Sequence, residues 1–285
     1  MSDITSVQNK LLKKIEKMET SFQRNMVIFY RRKTSDIEKE IAAFFLMYSE
    51  NGKIEYRNVM LQPTDGELAS LSDRVHRFSL THPDRVSLLP DVYSVSLNRL
   101  DVLRASIRMH LMEMAEYETM AVNGHLQSVF SMTYKETSKA LDIEPDMVEM
   151  NAEKLDVADT VYKNCDKLAN YIEQDIAQDI VRGFDYEKTA EEICERIERV
   201  SKNDIDRLTY TEDTAAFNEA SSEVFIGAGY EQYRFISQRD EDVCAVCRDL
   251  DSQVFDLVDR RVGINFPPMH PWCRCKVEPV EWKEV

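Results

Sequence analysis

Five side chains that can bind a metal ion are concentrated between residues 244 and 275. Cys244 and Cys247 form a C-x2-C pair, and His270, Cys273 and Cys275 follow after a long spacer. Two thiolates on one tight turn can share a tetrahedral ion, and an extended C-R-C segment would point both of its sulfurs to the same side. The pattern therefore predicts a structural zinc site in which Cys244, Cys247 and His270 are joined by either Cys273 or Cys275.

Two other states of these residues remain open from the sequence. The cysteines could stay reduced and pack as small apolar side chains, or they could form disulfides in an oxidising environment. A catalytic metal needs an open position for water, whereas four or five cysteine and histidine ligands favour a closed structural site. The sequence contains no G-x-G-x-x-G, Walker loop, H-E-x-x-H or G-x-S-x-G motif, and we expect no catalytic residues.

The elements that carry these residues are predicted to be mainly helical. Glycine is scarce, with 7 in 285 residues, and apolar residues recur every three or four positions. Gly124 could break a long central helix, and Gly183 has the position of a C-terminal capping glycine. Tyr233 and Phe235 alternate with polar residues as on a strand. The spacing predicts helices over about 4–22, 35–48, 67–78, 92–134, 157–180, 190–200 and 203–227.

We expect a long-helix body with a small C-terminal α+β module that the cysteines and histidine staple together. Along the chain we distinguish an N-terminal helical segment with an irregular stretch (1–90), a long helical region (91–150) and a C-terminal domain (151–285). The metal-binding module occupies 229–277 of that domain. Its strands are expected only after residue 229.

The charge is distributed unevenly. The whole chain carries a formal net charge of −16, yet its first 35 residues contain eight basic and three acidic side chains. Such a segment is either a solvated helix face or a docking surface for an acidic partner or for DNA. The charge pattern alone leaves both possibilities open, and the apolar stripe from Ile4 to Phe22 could dock instead. The residues predicted to bind a partner are Lys10, Lys13, Lys14, Lys17, Arg31, Arg32 and Lys33.

Neither a signal peptide nor an apolar run long enough for a membrane span is visible. We therefore expect a protein that is made in a cytoplasm and does not contact membranes.

Several motifs in the C-terminal half resemble those of a known family. The helix end RLTYTEDTAAFNEAS, a G-A-G-Y turn, the DEDVCAVC turn and the ending GINFPPMHPWCRC are similar to the C-terminal domain of phage Mu protein F-like minor head proteins, also called head morphogenesis proteins. The resemblance covers about 155–277. Asp251-Ser252 departs from the glycine turn of many members. Besides the five metal-binding residues, the family positions are Thr211, Glu212, Asp240, Pro268 and Arg274.

The resemblance implies a non-catalytic structural role in a bacteriophage head. Members of the family act near the portal in head assembly, DNA packaging or DNA delivery. The implied partners are the portal protein and other inner-head components, with packaged DNA as a further contact. The implied location is the virion, with the host cytoplasm during assembly. Two rival functions are a metal-dependent hydrolase and a zinc-dependent nucleic-acid-binding module; the net charge of −3 over residues 230–285 disfavours the latter.

Overall fold

A computed structural model describes residues 4–92, 94, 96–144, 157–238 and 243–280, and over these residues the fold is mainly helical, as predicted. The helices are α1 (Ile4–Tyr48), α2 (Tyr56–Val59), α3 (Asp65–Thr81), α4 (Arg99–Ala140), α5 (Ala158–Arg182), α6 (Tyr186–Gly227) and α7 (Ala245–Leu250). The strands are β1 (Gln232–Ile236), β2 (Val254–Asp256) and β3 (Lys276–Pro279), all after residue 229. Short 3-10 turns cover Pro83–Leu88 and Leu257–Asp259.

Helix α1 is one continuous element of 45 residues, so the prediction of two separate helices over 4–22 and 35–48 was wrong. The connecting residues continue the buried stripe, since Met26, Tyr30 and Thr34 are all buried and follow one another at intervals of four. No glycine or proline interrupts this segment. The local periodicity therefore supports a single helix throughout.

The same holds for α6, which joins the two helices predicted over 190–200 and 203–227. Ile197, Ser201 and Ile205 are buried at intervals of four across the expected break. Gly124 lies inside α4 without interrupting it. Gly183, in contrast, ends α5 with a φ of +73°, and the following Phe184 N–H donates to the carbonyl of Asp179, which confirms the predicted cap.

The chain forms two compact units, each assembled from separate segments. The first comprises Met1–Asn25, Met120–Val157 and Asp204–Val285, and the second comprises Met26–Thr119 and Ala158–Asn203. Helices α1, α4 and α6 contribute residues to both. The predicted domains 1–90, 91–150 and 151–285 are continuous stretches of sequence, unlike the two compact units. They stay a prediction.

The first unit contains the sheet, whose strand order is β2-β1-β3 with both pairs antiparallel. Tyr233 and Phe235 of β1 are fully buried, as the alternation predicted. Tyr233 belongs to an apolar cluster with Phe225, Leu257, Phe266 and Val277. Phe235 belongs to a neighbouring cluster made largely of cysteine side chains. The central strand thus supports the module's hydrophobic core and its cysteines at once.

The second unit holds a buried charge network. The guanidinium of Arg108 on α4 donates to Asp166, Asn170 and Glu173 of α5 at 2.6, 2.7 and 2.6 Å. A buried guanidinium is tolerated because its donors meet two carboxylates and an amide oxygen. Within the described residues, no helix is both long enough and apolar enough to cross a membrane.

Candidate metal centre

The first cysteine pair is held by the start of α7. Cys244 caps this helix with an extended backbone, and its sulfur accepts a hydrogen bond from the Cys247 N–H at 3.3 Å. Cys247 is buried one turn later. The C-x2-C spacing therefore places both sulfurs on one turn, and the backbone N–H groups of that turn favour the thiolate form of Cys244.

His270 faces this pair through one ring nitrogen. Its Nε2 lies 3.2 Å from the sulfur of Cys244 and 3.5 Å from that of Cys247. Its Nδ1 lies 2.7 Å from the carbonyl oxygen of Pro271. A carbonyl can only accept, so Nδ1 carries the proton and the lone pair of Nε2 points toward the sulfurs. Metal-binding histidines are oriented in this way.

The second cysteine pair completes the Cys/His cluster, by which we mean Cys244, Cys247, His270, Cys273 and Cys275. Two sets of possible ligands have all their donor atoms within 4.8 Å of one another: Cys244, Cys247 and His270, and Cys247, Cys273 and Cys275. Cys247 belongs to both sets. The three residues of the second set are buried against Phe235. The fold thus brings together all five residues that the sequence singled out.

The donors of the Cys/His cluster suit a metal ion. Sulfur and imidazole ligands of tetrahedral zinc lie about 3.5–3.8 Å apart, as follows from metal–ligand bonds of about 2.0–2.3 Å. The observed separations between His270 and the first pair are close to this range. Neither Cys273 nor Cys275 lies within 4.8 Å of all three donors of the first set, so both remain alternatives for the last position. The Cys/His cluster could hold a metal ion.

The electrostatics of the Cys/His cluster favour negative charge on Cys273 over Cys247 and Cys275. A hydrogen bond from the Cys275 thiol lowers the pKa of Cys273 to about 5. The same contact raises the pKa of Cys275. Burial raises the pKa of Cys247 to about 12. The hydrogen bond to the Pro271 carbonyl raises the pKa of His270. Negative charge on sulfur in a buried site is stabilised by a nearby cation, which is what a bound ion would supply.

Sequence reasoning missed the residues that hold the second cysteine pair. Thr214 and Asn218 on α6 hydrogen-bond to the carbonyl oxygens of Cys273 and Cys275 at 2.9 and 3.0 Å. From α1, the Gln8 side chain donates to the carbonyl of Val277 at 2.9 Å. A signal for the α6 residues was present, since polar residues recur there at helical spacing beside apolar ones, but nothing in the sequence indicated their partners.

The structure describes four of the five family-motif positions. Thr211 accepts a hydrogen bond from the N–H of Trp272 at 3.1 Å. Burial raises the pKa of Glu212. Pro268 is buried and follows a cis peptide bond. Arg274 is partly buried between the two cysteines. Asp240 lies outside the described residues.

Ser252 adopts a left-handed backbone with a φ of +67°. Ser252 lies in the Asp251-Ser252 pair, where many family members have a glycine turn. Glycine adopts this left-handed conformation without steric cost. The turn is held because the Asp251 carboxylate accepts from the Ser237 N–H at 2.9 Å. β1 and β2 pair antiparallel, with the Asp251-Ser252 turn preceding β2.

A cavity of about 520 Å³ lies beside the Cys/His cluster in the first unit. Its walls include Lys13 and Glu19 of α1, Asp213 of α6, and Arg274 and Cys275. Burial, with a contribution from Asp213, raises the pKa of Glu19 to about 7. The Nε2 of His125 on α4 and the Oδ2 of Asp213, both buried, lie 3.1 Å apart.

The basic residues of α1 are mostly exposed to solvent. Lys10, Lys13, Lys14 and Lys17, which we call the basic face, are all exposed. Arg31 and Arg32 are exposed as well, Lys33 is partly buried, and Arg31 lies 3.5 Å from Glu198.

Comparison with known families gives a match over part of the chain. Residues 170–278 match a family described as phage Mu protein F like protein. The matched part begins within α5 and ends within β3, so it includes all of the Cys/His cluster. No curated protein and no solved structure matches the chain.

Proposed function

We propose that the protein is a non-catalytic structural component in the morphogenesis of a phage head, because residues 170–278 match the phage Mu protein F like family. The observation that carries the proposal is that the family match spans the complete Cys/His cluster and the helix that holds it. This match supports a place in the virion. The finer parts of the proposal, which concern the ion, the partner and the surface, are argued from individual residues.

The ion of the Cys/His cluster is proposed to be structural zinc. The ligands are thiolates and one imidazole, which are the usual ligands of Zn²⁺, and three of the cysteines are buried. Cys244, Cys247 and His270 would be joined by Cys273 or Cys275. A hydrolase would need a position left open for water, whereas Cys273 and Cys275 both lie close to Cys247 and either could fill the fourth position. The geometry therefore favours a structural zinc site over a catalytic one.

The partner surface is proposed to be the basic face of α1. Its four lysines are spaced 3, 1 and 3 residues apart, which places them on one side of the helix. Leu11 and Ile15 are buried within the protein, so the middle of the apolar stripe already packs inside it. The basic face is thus the part of this segment that remains accessible. Arg31, Arg32 and Lys33 extend the positive charge along the same helix.

The partner that best fits this surface is the portal protein or another inner-head component with an acidic surface. The negative net charge of the module over residues 230–285 disfavours a zinc module that reads nucleic acid. The same basic face could also contact packaged DNA. Exposed ion pairs contribute only about 0–1 kcal/mol each, so several lysines must act together.

The test of this surface is charge reversal. Lys10, Lys13, Lys14 and Lys17 are changed together to Glu, and co-purification with phage heads and with the isolated portal protein is measured. A control variant reverses four other exposed lysines: Lys135, Lys139, Lys163 and Lys167. Both variants change the net charge equally, and circular dichroism verifies that both fold.

We expect the first variant to lose most of its binding and the control to retain it. Binding of the wild-type protein should weaken as salt rises to about 1 M, where the screening length falls to about 3 Å. Equal binding by the two variants, with no effect of salt, would show that the basic face is not the docking surface.

A further inference from the structure

Three polar residues on α6 contact the segment that contains Cys273 and Cys275. Thr211, Thr214 and Asn218, which we call the α6 polar row, are separated by three and four residues and therefore share one face of the helix. All of their contacts with this segment are to backbone atoms from residue 272 to residue 277. The row thus holds the main chain around the two cysteines and leaves their sulfurs available.

The hydrogen bonds of the row follow the chain in order. The hydroxyl of Thr211 accepts from the N–H of Trp272 at 3.1 Å. The hydroxyl of Thr214 donates to the carbonyl of Cys273 at 2.9 Å. Asn218 donates to the carbonyl of Cys275 at 3.0 Å and accepts from the N–H of Val277 at 2.9 Å. Four backbone groups between residues 272 and 277 are therefore hydrogen-bonded by one helix face.

Asn218 is the most constrained member of the row. Its side chain is fully buried, and its second amide hydrogen is directed at the carbonyl of Thr214, 2.8 Å away. The orientation of the amide is unambiguous, because a flipped group would place its NH₂ against the N–H of Val277. A buried amide with every partner satisfied cannot move without losing hydrogen bonds that water does not replace. It therefore fixes the register of residues 275–277.

The opposite side of this segment is fixed by the sheet. β3 pairs with β1 through Lys276 opposite Ile236 and Val277 opposite Phe235. The sheet, however, begins only after Cys275. Cys273 and Cys275 precede it and would be free to shift along the helix if only the sheet held them.

We propose that Thr211, Thr214 and Asn218 are positioning residues, which preset the backbone of Cys273 and Cys275 so that one of these cysteines completes the metal site. The inference rests on the metal site of the proposed function. It extends that function by assigning part of the metal affinity to a helix that provides no ligand. Partners that orient ligands in this way typically contribute about 10–100-fold to metal affinity.

The experiment measures zinc affinity of the full-length protein by competition with a chromogenic chelator. Thr214→Val removes the hydroxyl at nearly constant volume, and Asn218→Asp removes the donor to Cys275 and keeps the acceptor for Val277. Thr214→Ser is the conservative variant that keeps the hydroxyl. Thr209→Val is the matched control, since its buried hydroxyl on the same helix bonds to the carbonyl of Ile205. The thiolate-to-metal absorption of the Co²⁺-substituted proteins reports ligand geometry.

We expect Thr214→Val and Asn218→Asp to weaken zinc binding by about 10–100-fold and to alter the Co²⁺ spectrum. Thr214→Ser should restore both properties, and Thr209→Val should leave them unchanged. Wild-type affinity in Thr214→Val and Asn218→Asp would overturn the inference, as would an equal loss in Thr214→Ser or Thr209→Val. Failure of the wild-type protein to bind zinc would overturn the metal part of the proposed function, and this inference with it.

Discussion

At the scale of single residues, the orientation of His270 matters more than its presence. A histidine near cysteines is a ligand only if a lone pair faces them, and here the carbonyl of Pro271 holds Nδ1 so that Nε2 is directed at Cys244 and Cys247. The carbonyl of the next residue therefore determines which ring nitrogen of His270 faces the sulfurs. Cys247 connects the two cysteine pairs, because it belongs to both sets of possible ligands.

Cys247→Ser should abolish stoichiometric zinc binding, since it removes the sulfur common to both sets. Cys165→Ser is the control, because Cys165 lies on α5 outside the Cys/His cluster. Elemental analysis of protein purified without chelator should find about one zinc per chain in the wild-type protein and in Cys165→Ser, and close to none in Cys247→Ser. An equal metal content in all three proteins would place the ion elsewhere.

Glu19 gives a prediction about pH. Its pKa is raised from 4.5 to about 7 by burial and by Asp213, so the folded protein holds this proton more tightly than the unfolded chain. Below pH 4.5 both states are protonated and folding is not penalised. As pH rises from about 4.5 to about 7, the unfolded chain ionises first, so the free energy of unfolding falls; above about pH 7 the penalty is constant.

Glu19→Gln should remove this penalty and raise the free energy of unfolding at pH 8 by about 1 kcal/mol, a figure reduced for the partial exposure of the side chain. At pH 4 the effect should be small. Denaturant unfolding at the two pH values measures it, with Glu16→Gln at an exposed position of the same helix as the control. A gain of equal size at pH 4 and pH 8 would contradict the assignment.

At the scale of elements, two glycines in helical regions have opposite roles. Gly124 lies within α4, and a β-carbon added there would meet no atom within 4 Å. Gly183 follows α5 with a φ of +73°, where a β-carbon is strained even though space is available. The conformation of the backbone, and not the room around it, separates the two positions.

Gly124→Ala should therefore raise the free energy of unfolding by about 0.5–1 kcal/mol, because alanine loses less backbone entropy in a helix. Gly183→Ala should lower it by about 1 kcal/mol, because alanine disfavours a left-handed conformation. Chemical denaturation of the two variants measures both changes, and each serves as the control of the other. Destabilisation by Gly124→Ala would mean that α4 is interrupted at that point after all.

At the scale of the whole molecule, the first residues of α1 are attached to the last strand. Gln8 donates to the carbonyl of Val277, and Lys276 reaches the side-chain oxygens of Gln8 and Asn9 at 3.4 and 3.3 Å. These contacts connect the segment that carries the basic face with the segment that follows the Cys/His cluster. Both segments belong to the first unit.

Removing the ion should consequently affect two distant parts of the sequence. Structural zinc contributes on the order of 10 kcal/mol in small zinc-finger peptides, so chelation is expected to unfold the module over 243–280. Hydrogen exchange should then accelerate there and also over about 4–12, which loses its partners on β3. The residues of the second unit should keep their protection. Faster exchange over 243–280 alone would show that α1 is held independently of the module.

The sequence by itself determined the features that depend on neighbouring residues. Helical periodicity, the cap at Gly183, the alternation at Tyr233 and Phe235 and the two cysteine pairs are all set within a few positions. The joining of two predicted helices in α1 and in α6 was also available locally, because the buried stripes through Met26 and Ser201 are unbroken. There the prediction failed because short apolar stripes were given ends that no glycine or proline required.

Only the tertiary structure decided which elements hold the Cys/His cluster. Gln8 meets Val277 across 269 positions, Asn218 meets Cys275 across 57, and His125 meets Asp213 across 88. The sequence does not indicate which backbone group a polar residue on a helix will bind. A hydrogen bond forms with the group that tertiary packing brings within about 3 Å. Ligand types are chemical properties of single residues, whereas their positioning depends on the packing of helices and strands that are far apart in the chain.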